Sequence, residues 1–246
     1  MTGHSSAIGP GLRIVASRRL QTPVCYYEDE ADRRLVTVVG TWPIGASSYY
    51  AQLREIIADR AAQGAAVHYE RDLACPPEDE ERATADEGRV LEQLARAVIL
   101  QDRRAGEIGG WVDRRRGLQP SDGWHGHDVR ASELVRLAGL SEMQPVAEGA
   151  CRRMAWPDGA WWGPPRYRLA VVGAARRAAR RRFGGRRLPG EHHPALLGYR
   201  AGPAIDALNA GTDLVLVWDV EVLPTLCPEL ARNCWRSRIC PRCAVA

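Results

Sequence analysis

The sequence predicts a single α/β domain with a mixed or largely parallel sheet flanked by helices, and three observations support this prediction. The chain has 246 residues, a length that corresponds to about one domain. Apolar runs at 35–39 and 213–218 have the pattern of buried strands. A helical repeat separates the first run from a further strand at 65–70, and strand–helix–strand units of this kind have parallel strands.

The first strand–helix–strand unit has local signals at its ends. Gly40 closes the first strand, and Ser47 or Ser48 is placed to cap the helix. Gly64 stands where the helix should stop. The apolar positions of the helix are Tyr50, Leu53, Ile56 and Ile57. The second strand ends at Glu70, and because both strands end at one edge of the sheet, we expect a ligand site outside that edge.

The later elements are predicted from helical periodicity and from turn residues. A long amphipathic helix is expected over about 86–103, followed by a loop and a short helix near Ser132. The apolar face of the long helix consists of Val90, Leu91, Leu94, Val98 and Ile99. Gly202 and Pro203 are placed to open a last helix, which Gly211 ends before the strand at the second apolar run.

Three segments follow from this pattern. Residues 1–33 are a poorly patterned and irregular lead-in, residues 34–226 form the α/β domain, and residues 227–246 form a cysteine-rich tail. The apolar and charged fractions, 45% and 26%, are those of a globular protein. No apolar stretch approaches the roughly 18 residues that a membrane span needs, and the N-terminus lacks the pattern of a secretory signal. We therefore expect a cytoplasmic protein whose cysteines stay reduced.

Four pieces of the chain, in order, resemble the TraB/GumN/TIKI family. The first is LVTVVGTWPIGASSYY at 35–50, which is similar to a strand ending in Gly-x-x-His, a small turn and paired aromatics. The second, AVHYE at 66–70, is similar to a strand that ends in a glutamate. The segment 199–224 is similar to the family's closing pieces, namely an arginine, a helix, a strand and a second Gly-x-x-His followed by Leu-Pro. The resemblance covers about 35–226 and implies a TIKI/erythromycin-esterase-like α/β fold.

The resemblance also implies a site built from the two Gly-x-x-His motifs, the glutamate and the arginine. The glutamate matches Glu70 and the arginine matches Arg200. In the first motif Gly40 is present, but Pro43 stands in the place of the histidine. In the second motif Asp219 replaces the glycine and Val222 replaces the histidine. Both positions that the resemblance assigns to histidine therefore carry side chains that neither bind a metal nor move a proton.

These substitutions predict a degenerate member of the family, a catalytically silent pseudoenzyme without a cofactor. Its expected role is that of a binding or interaction protein for an unknown protein or small ligand. The alternative is a metal-dependent hydrolase or peptidase with a rebuilt site for a hard divalent cation, made of His68, Glu70, Asp219 and Glu221. In a strand His68 and Glu70 share a face, and Asp219 and Glu221 share one if their strand continues that far.

Glu70 and Arg200 are also open to a structural interpretation. An unpaired buried carboxylate is costly, and an arginine can pair with it through two parallel hydrogen bonds. Such a pair either forms part of a functional site or holds the two halves of the domain together, and both roles are compatible in a silent protein.

Three further patterns carry weaker signals. The two histidines of the segment Trp124–Asp128 are expected in an exposed loop, with Asp128 as a helix cap. The arginine run over 176–187 forms a basic helical stripe that offers a third function, binding to an anionic surface or nucleic acid. Since few aromatic residues accompany it, sequence-specific nucleic-acid binding is not expected, and a solvated face is the preferred interpretation.

The cysteines of the C-terminal segment form the last pattern. They are Cys227, Cys234, Cys240 and Cys243. Four thiolates suffice for zinc, but structural zinc sites draw on two closely spaced pairs, and only the last two cysteines have that spacing. The default prediction is a reduced tail without metal.

Overall fold

The computed structural model of the chain describes residues 13–14, 20–22, 24–29, 33–42, 44–74, 83–107, 111–154, 194–220, 222–232 and 235–238. The strands within these ranges are β1 (Arg13–Ile14), β2 (Leu20–Gln21), β3 (Val24–Asp29), β4 (Leu35–Thr41), β5 (Ile44–Ala46), β6 (Ala66–Ala74), β7 (Trp111–Asp113), β8 (His125–Arg130), β9 (Leu214–Asp219) and β10 (Trp235–Arg238). The α-helices are α1 (Ser47–Ala62), α2 (Ala85–Glu107), α3 (Arg114–Leu118), α4 (Ala131–Ala138), α5 (Leu140–Met154), α6 (Pro194–Ala207) and α7 (Leu223–Arg232).

The main sheet has six strands in the order β10-β3-β4-β9-β6-β8. Strands β4, β9, β6 and β8 are parallel to one another, whereas β3 pairs antiparallel with β4, and β10 pairs antiparallel with β3. The prediction of a mixed, mostly parallel sheet flanked by helices is confirmed. β4 and β6, which α1 connects, both pair in parallel with β9, so the last strand of the parallel set lies between the first two.

The apolar runs become central strands because their side chains pack on both faces of the sheet. β9 is buried along its whole length, which is typical of a parallel strand covered on both sides. On one face α1 packs with Tyr50, Leu53 and Ile57. On the other face α6 and α7 cover Trp218, with small alanines of α6 and leucines of α7 in the contact. A third cluster joins α2, α4 and α5 through residues such as Leu91 and Met143.

The predictions for the first helix and for the long helix are correct in part. α1 ends before Gly64, whose φ of 94° is the left-handed conformation that glycine adopts readily, as the sequence predicted. The predicted serine caps are wrong, because the N-cap residue is Ala46 and it makes no side-chain capping bond. On the long helix the predicted apolar face is correct at Val90, Leu91 and Leu94, which are buried, but Ile99 is 67% exposed.

The predicted start of the last helix is wrong, whereas its end is correct. α6 begins at Pro194 and contains Pro203 in its interior. Proline removes one helical hydrogen bond, and the burial of Ala201 and Ala204 against the sheet offsets that loss. A 3₁₀ turn over Leu208–Ala210 follows, and Gly211 ends the helical segment with a φ of 76°.

The segments at both ends of the chain contribute to the main sheet. The region expected to be an irregular lead-in contains β3, which pairs with β4. The boundary placed between 226 and 227 falls inside α7, and the expected tail contains β10, which pairs with β3. The sheet therefore extends beyond residues 34–226 on both sides.

Candidate functional site

The ends of β4 and β9 lie side by side at one edge of the sheet. Gly40 is the register partner of Trp218, and Thr41 is the partner of Asp219. In β6, Tyr69 pairs with Val217, which brings Glu70 level with the end of β9. The sequence predicted a site at the edge where these strands end, and Gly40, Asp219 and Glu70 lie together there. β6 itself does not end at Glu70, because the strand continues to Ala74 after a register shift.

Glu70 is paired with Arg200 through two parallel hydrogen bonds, as the sequence predicted. Arg200 Nε donates to Oε1 at 2.6 Å, and Nη2 donates to Oε2 at 3.1 Å. The backbone N–H of Asp219 donates to Oε2 at 3.0 Å. The Glu70 side chain is only 1% exposed, so these protein donors replace the water that an ionised carboxylate requires.

Arg114, the first residue of α3, is a second arginine in the site and was not identified from the sequence. It is buried, and its Nη1 lies 3.5 Å from Glu70 Oε2. Its Nε and Nη2 donate to Asp72 Oδ1 at 3.0 and 2.7 Å, and its Nη1 lies 3.7 Å from Asp219 Oδ2. We refer to Glu70, Asp72, Arg114, Arg200 and Asp219 as the charge cluster.

The local fold places Arg114 by capping the short helix. Asp113 ends β7, and its side chain accepts from the backbone N–H of Arg116 at 2.9 Å, so that α3 starts at Arg114. Arg115 and Arg116 are exposed, whereas Arg114 points into the protein. The one signal in the sequence was an aspartate next to an arginine run, and that pattern is too common to identify a buried cation.

The charge cluster keeps Glu70 ionised. Burial alone would raise the pKa of Glu70, but the charges of Arg200 and Arg114 and the hydrogen bonds from Arg200 and Asp219 lower it below its usual value. The neighbouring carboxylates act on Arg114 in the corresponding way. Its burial would lower the pKa of the guanidinium, and the charges of Asp72, Glu70 and Asp219 raise it. A carboxylate with a lowered pKa and with donors on both oxygens is poorly suited to act as a general acid or base near neutral pH.

The segment after β4 is held by the paired tyrosines of α1. Tyr49 Oη donates to the carbonyl of Gly40 at 3.4 Å and accepts from the backbone N–H of Trp42 at 3.3 Å. Tyr50 Oη donates to the carbonyl of Trp42 at 2.5 Å. The aromatic pair therefore anchors the backbone of the first motif. Pro43, which completes this motif, lies outside the described residues.

The second motif ends in the apolar core. Val222 is fully buried among the side chains that α6 and α7 place against the sheet. Its backbone N–H donates to the carbonyl of Asp219 at 3.0 Å, which closes the turn between β9 and α7. The indole of Trp218 donates to the backbone carbonyl of Arg200 at 2.7 Å and so ties α6 to the end of β9.

The segment with two histidines is a strand and not the exposed loop expected from the sequence. β8 pairs in parallel with β6, so that His68 is the register partner of His125 and Glu70 that of His127. Asp128 does not cap a helix, since the N-cap of α4 is Arg130. The carboxylate of Asp128 instead accepts a hydrogen bond from Arg71 at 3.0 Å. The polar sequence of β8 concealed the strand, because an edge strand needs little apolar surface of its own.

His68 lies on the face that carries Glu70, as predicted, but it contacts histidines instead of carboxylates. Its Nδ1 is 3.0 Å from His127 Nε2, and its ring centre is 4.7 Å from that of His125. Burial and the two neighbouring imidazoles lower the pKa of His68 to about 4, and burial followed by His125 and Arg71 lowers the pKa of His127. Of the alternative metal ligands, Glu221 lies outside the described residues. As the side chains stand in the described ranges, they include no group of three or more His, Cys, Asp or Glu arranged to hold a metal ion.

The remaining predicted positions are distributed as follows. Cys227 lies in α7, in the core, and its thiol hydrogen-bonds to Cys25 of β3 and to Tyr27. That hydrogen bond, together with burial, raises the pKa of Cys25. The other three cysteines of the predicted tail, Cys234, Cys240 and Cys243, lie outside the described residues, as does the arginine run over 176–187.

No helix in the described part of the chain is long and apolar enough to cross a membrane. Comparisons of the chain with protein-family models, with curated proteins and with solved structures gave no match.

Proposed function

We propose that the chain is a degenerate TraB/TIKI-like protein, catalytically silent, that acts as a binding or interaction protein for a protein or small ligand. The observation that carries the proposal is that both carboxylate oxygens of Glu70 accept hydrogen bonds from the protein. Two bonds from Arg200, one from the Asp219 amide and the charge of Arg114 occupy both of its oxygens. The carboxylate that the family resemblance assigns to a reactive site thus has the surroundings of a structural ion pair.

The arrangement of the motif positions supports the resemblance. Gly40 and Asp219 lie at the ends of adjacent parallel strands, and Glu70 accepts from the amide of Asp219. A protein in which these residues lay at opposite edges of the sheet could not combine them in one site. Val222, at the position of the second motif histidine, contributes hydrocarbon to the core in place of an imidazole.

The surroundings of Glu70 also weigh against the alternative, a carboxylate site for a hard cation. Two guanidinium groups lie within 4 Å of Glu70 or Asp219, and their positive charge opposes a second cation at the same oxygens. Mg²⁺ and Mn²⁺ require several oxygen ligands, and those of Glu70 are engaged. Loading such a site would require the bonds between Glu70 and Arg200 to break first.

The proposal is tested by cation binding and by peptide cleavage with the full chain. Isothermal titration calorimetry with Mg²⁺ and with Mn²⁺ should show no stoichiometric binding at Glu70. When the protein is incubated with a mixture of peptides and either ion, the unmodified protein and Glu70→Gln should give the same background cleavage. Glu133→Gln, which alters a partly exposed carboxylate, is the matched control. Tight binding or cleavage that Glu70→Gln abolishes and Glu133→Gln preserves would refute the silent site and favour the metal-dependent hydrolase.

A further inference from the structure

Three histidines from two adjacent strands converge on one face of the sheet, beside the charge cluster. His68 is the register partner of His125, and His127 lies two residues further along β8. Residues two apart in a strand point to the same face, which for these strands is the face of Trp218, whose ring centre is 5.7 Å from that of His127. The ring centres of His68 and His127 are 5.3 Å apart. We call these three residues the histidine cluster.

We propose that the histidine cluster is a binding site for a transition-metal ion of the Zn²⁺ class, which takes neutral imidazole ligands. Zinc–nitrogen bonds of 2.0–2.1 Å place two ligand nitrogens of a tetrahedral ion about 3.3 Å apart. His68 Nδ1 and His127 Nε2 already lie 3.0 Å apart, within a few tenths of an ångström of that value. His125 is exposed, so its ring is free to turn toward the ion as a third ligand.

The protonation of the cluster suits a metal better than an added proton. Neutral imidazoles offer a lone pair each, and the lowered pKa values of His68 and His127 keep both rings neutral at neutral pH. The charged groups that act on His127 are Asp206 of α6, Asp128 of β8 and Arg71 of β6. Arg71 acts against a positive charge at the ring, whereas Asp128 and Asp206 act in its favour.

Metal binding requires a change of tautomer and small rotations of the rings. One ring nitrogen now donates its hydrogen to the other across the 3.0 Å contact, and both must present lone pairs to an ion. Each ring achieves this by carrying its hydrogen on the remote nitrogen, Nε2 in His68 and Nδ1 in His127, so the exchange needs no net loss of a proton. The ion then occupies the place of the shared hydrogen.

The test uses the full chain, stripped of metal by a chelator, with Cys234→Ser, Cys240→Ser and Cys243→Ser introduced so that these tail thiolates do not compete. Co²⁺ serves as the spectroscopic probe, and Zn²⁺ is added to displace it. We expect visible Co²⁺ absorption that saturates at one ion per chain and is lost on addition of Zn²⁺. His127→Ala should weaken binding by more than about 100-fold, because even groups that only orient a metal ligand contribute 10–100-fold.

Two control variants separate this site from its neighbours. Asp128→Asn changes a charge beside the cluster without removing an imidazole and should retain binding within a few-fold. Glu70→Gln should also retain Co²⁺ binding. If Glu70→Gln alone lost Co²⁺ binding, the ion would lie at the charge cluster, which would overturn both this proposal and the proposed silent site. Should His127→Ala fail to fold, the unmodified protein still provides a test, since an ion that binds only the folded state raises the unfolding temperature. Absence of Co²⁺ absorption and of a Zn²⁺-dependent rise would leave the cluster as a hydrogen-bonded pair and overturn the proposal.

Discussion

Replacing Glu70 by glutamine tests whether the charge cluster stabilises the fold. The variant keeps the shape of the side chain and removes its charge. One amide oxygen of the new residue can still accept a hydrogen bond, but the amide NH₂ then faces a donor of Arg200 or the backbone N–H of Asp219. Arg114 also loses one of its carboxylate neighbours. The substitution therefore leaves a buried donor facing another donor, and it removes the carboxylate that Arg114 and Arg200 share.

The size of the effect follows from burial. Removing one partner of a buried ion pair costs about 3–5 kcal/mol, and the remaining acceptor of glutamine places the expectation near 3 kcal/mol. For a chain of this length each kcal/mol lowers the unfolding temperature by about 2–4 °C, so the variant should melt about 6–12 °C lower. Urea unfolding followed by circular dichroism at neutral pH measures the free energy of unfolding directly.

Glu133→Gln is the matched control because its ion pair has the same length and differs in exposure. Arg136 Nη2 lies 2.6 Å from Glu133 Oε2, the distance found between Arg200 Nε and Glu70, but the two side chains are 68% and 36% exposed. Water screens such a pair, and its loss should lower the free energy of unfolding much less than Glu70→Gln does. If Glu70→Gln and Glu133→Gln had equal effects, the stabilising role assigned to the charge cluster would be wrong.

The other predictions concern acid, packing and the second motif position. The pKa of Glu70 is lower in the folded protein than in the unfolded chain, so ionised Glu70 stabilises the fold above the usual glutamate pKa. As the pH falls below that value, the unfolded chain binds the proton more readily and this stabilisation is lost. Unfolding measured over acid pH should therefore show a smaller loss of stability in Glu70→Gln than in the unmodified protein. Gly117→Ala should lower the unfolding temperature because its Cβ would lie 2.2 Å from the ring of Tyr50, whereas Gly123→Ala, with no atom within 4 Å of its added Cβ, should melt like the unmodified protein. Val222→His should destabilise the protein by about 1–3 kcal/mol in urea unfolding, because it buries a polar ring in an apolar core; an unchanged midpoint would show that this position can turn toward solvent.

The parts of the fold that the sequence predicted are those with a local apolar signal. The runs around Val38 and Val217 are rich in β-branched residues and bury every side chain except the partly buried Leu35, so composition alone identifies them as central strands. Their parallel arrangement then follows from the connecting helix, and it brings Glu70 to the edge where Asp219 lies. Arg200 was singled out by the family resemblance, and its pairing with Glu70 was predicted because a buried carboxylate at that edge requires a cation.

The parts that were missed depend on contacts between distant segments. Arg114 is one of three consecutive arginines, and only the contacts with Asp72 and Glu70 distinguish it from its exposed neighbours. β8 has the sequence HGHDVR, which lacks apolar alternation, and its strand conformation depends on pairing with β6. The interior position of Pro203 likewise reflects packing of α6 against the sheet, which local helix signals do not report.

The structure separates two kinds of polar group that the sequence placed together in one possible metal site. Glu70 and Asp219 lie among guanidinium groups, so a cation at their oxygens would have to displace bonds that hold β6, β9, α3 and α6 together. His68 lies on the same face as Glu70, yet it contacts His125 and His127. The carboxylates of the charge cluster instead pair with Arg114 and Arg200. A buried carboxylate paired with arginine is costly to break, and neutral imidazoles suit transition-metal cations such as Zn²⁺. A metal bound at the histidine cluster would thus leave the ion pair of Glu70 and Arg200 intact. Glu70→Gln should therefore lower stability without changing metal binding, and His127→Ala should weaken metal binding without breaking that ion pair.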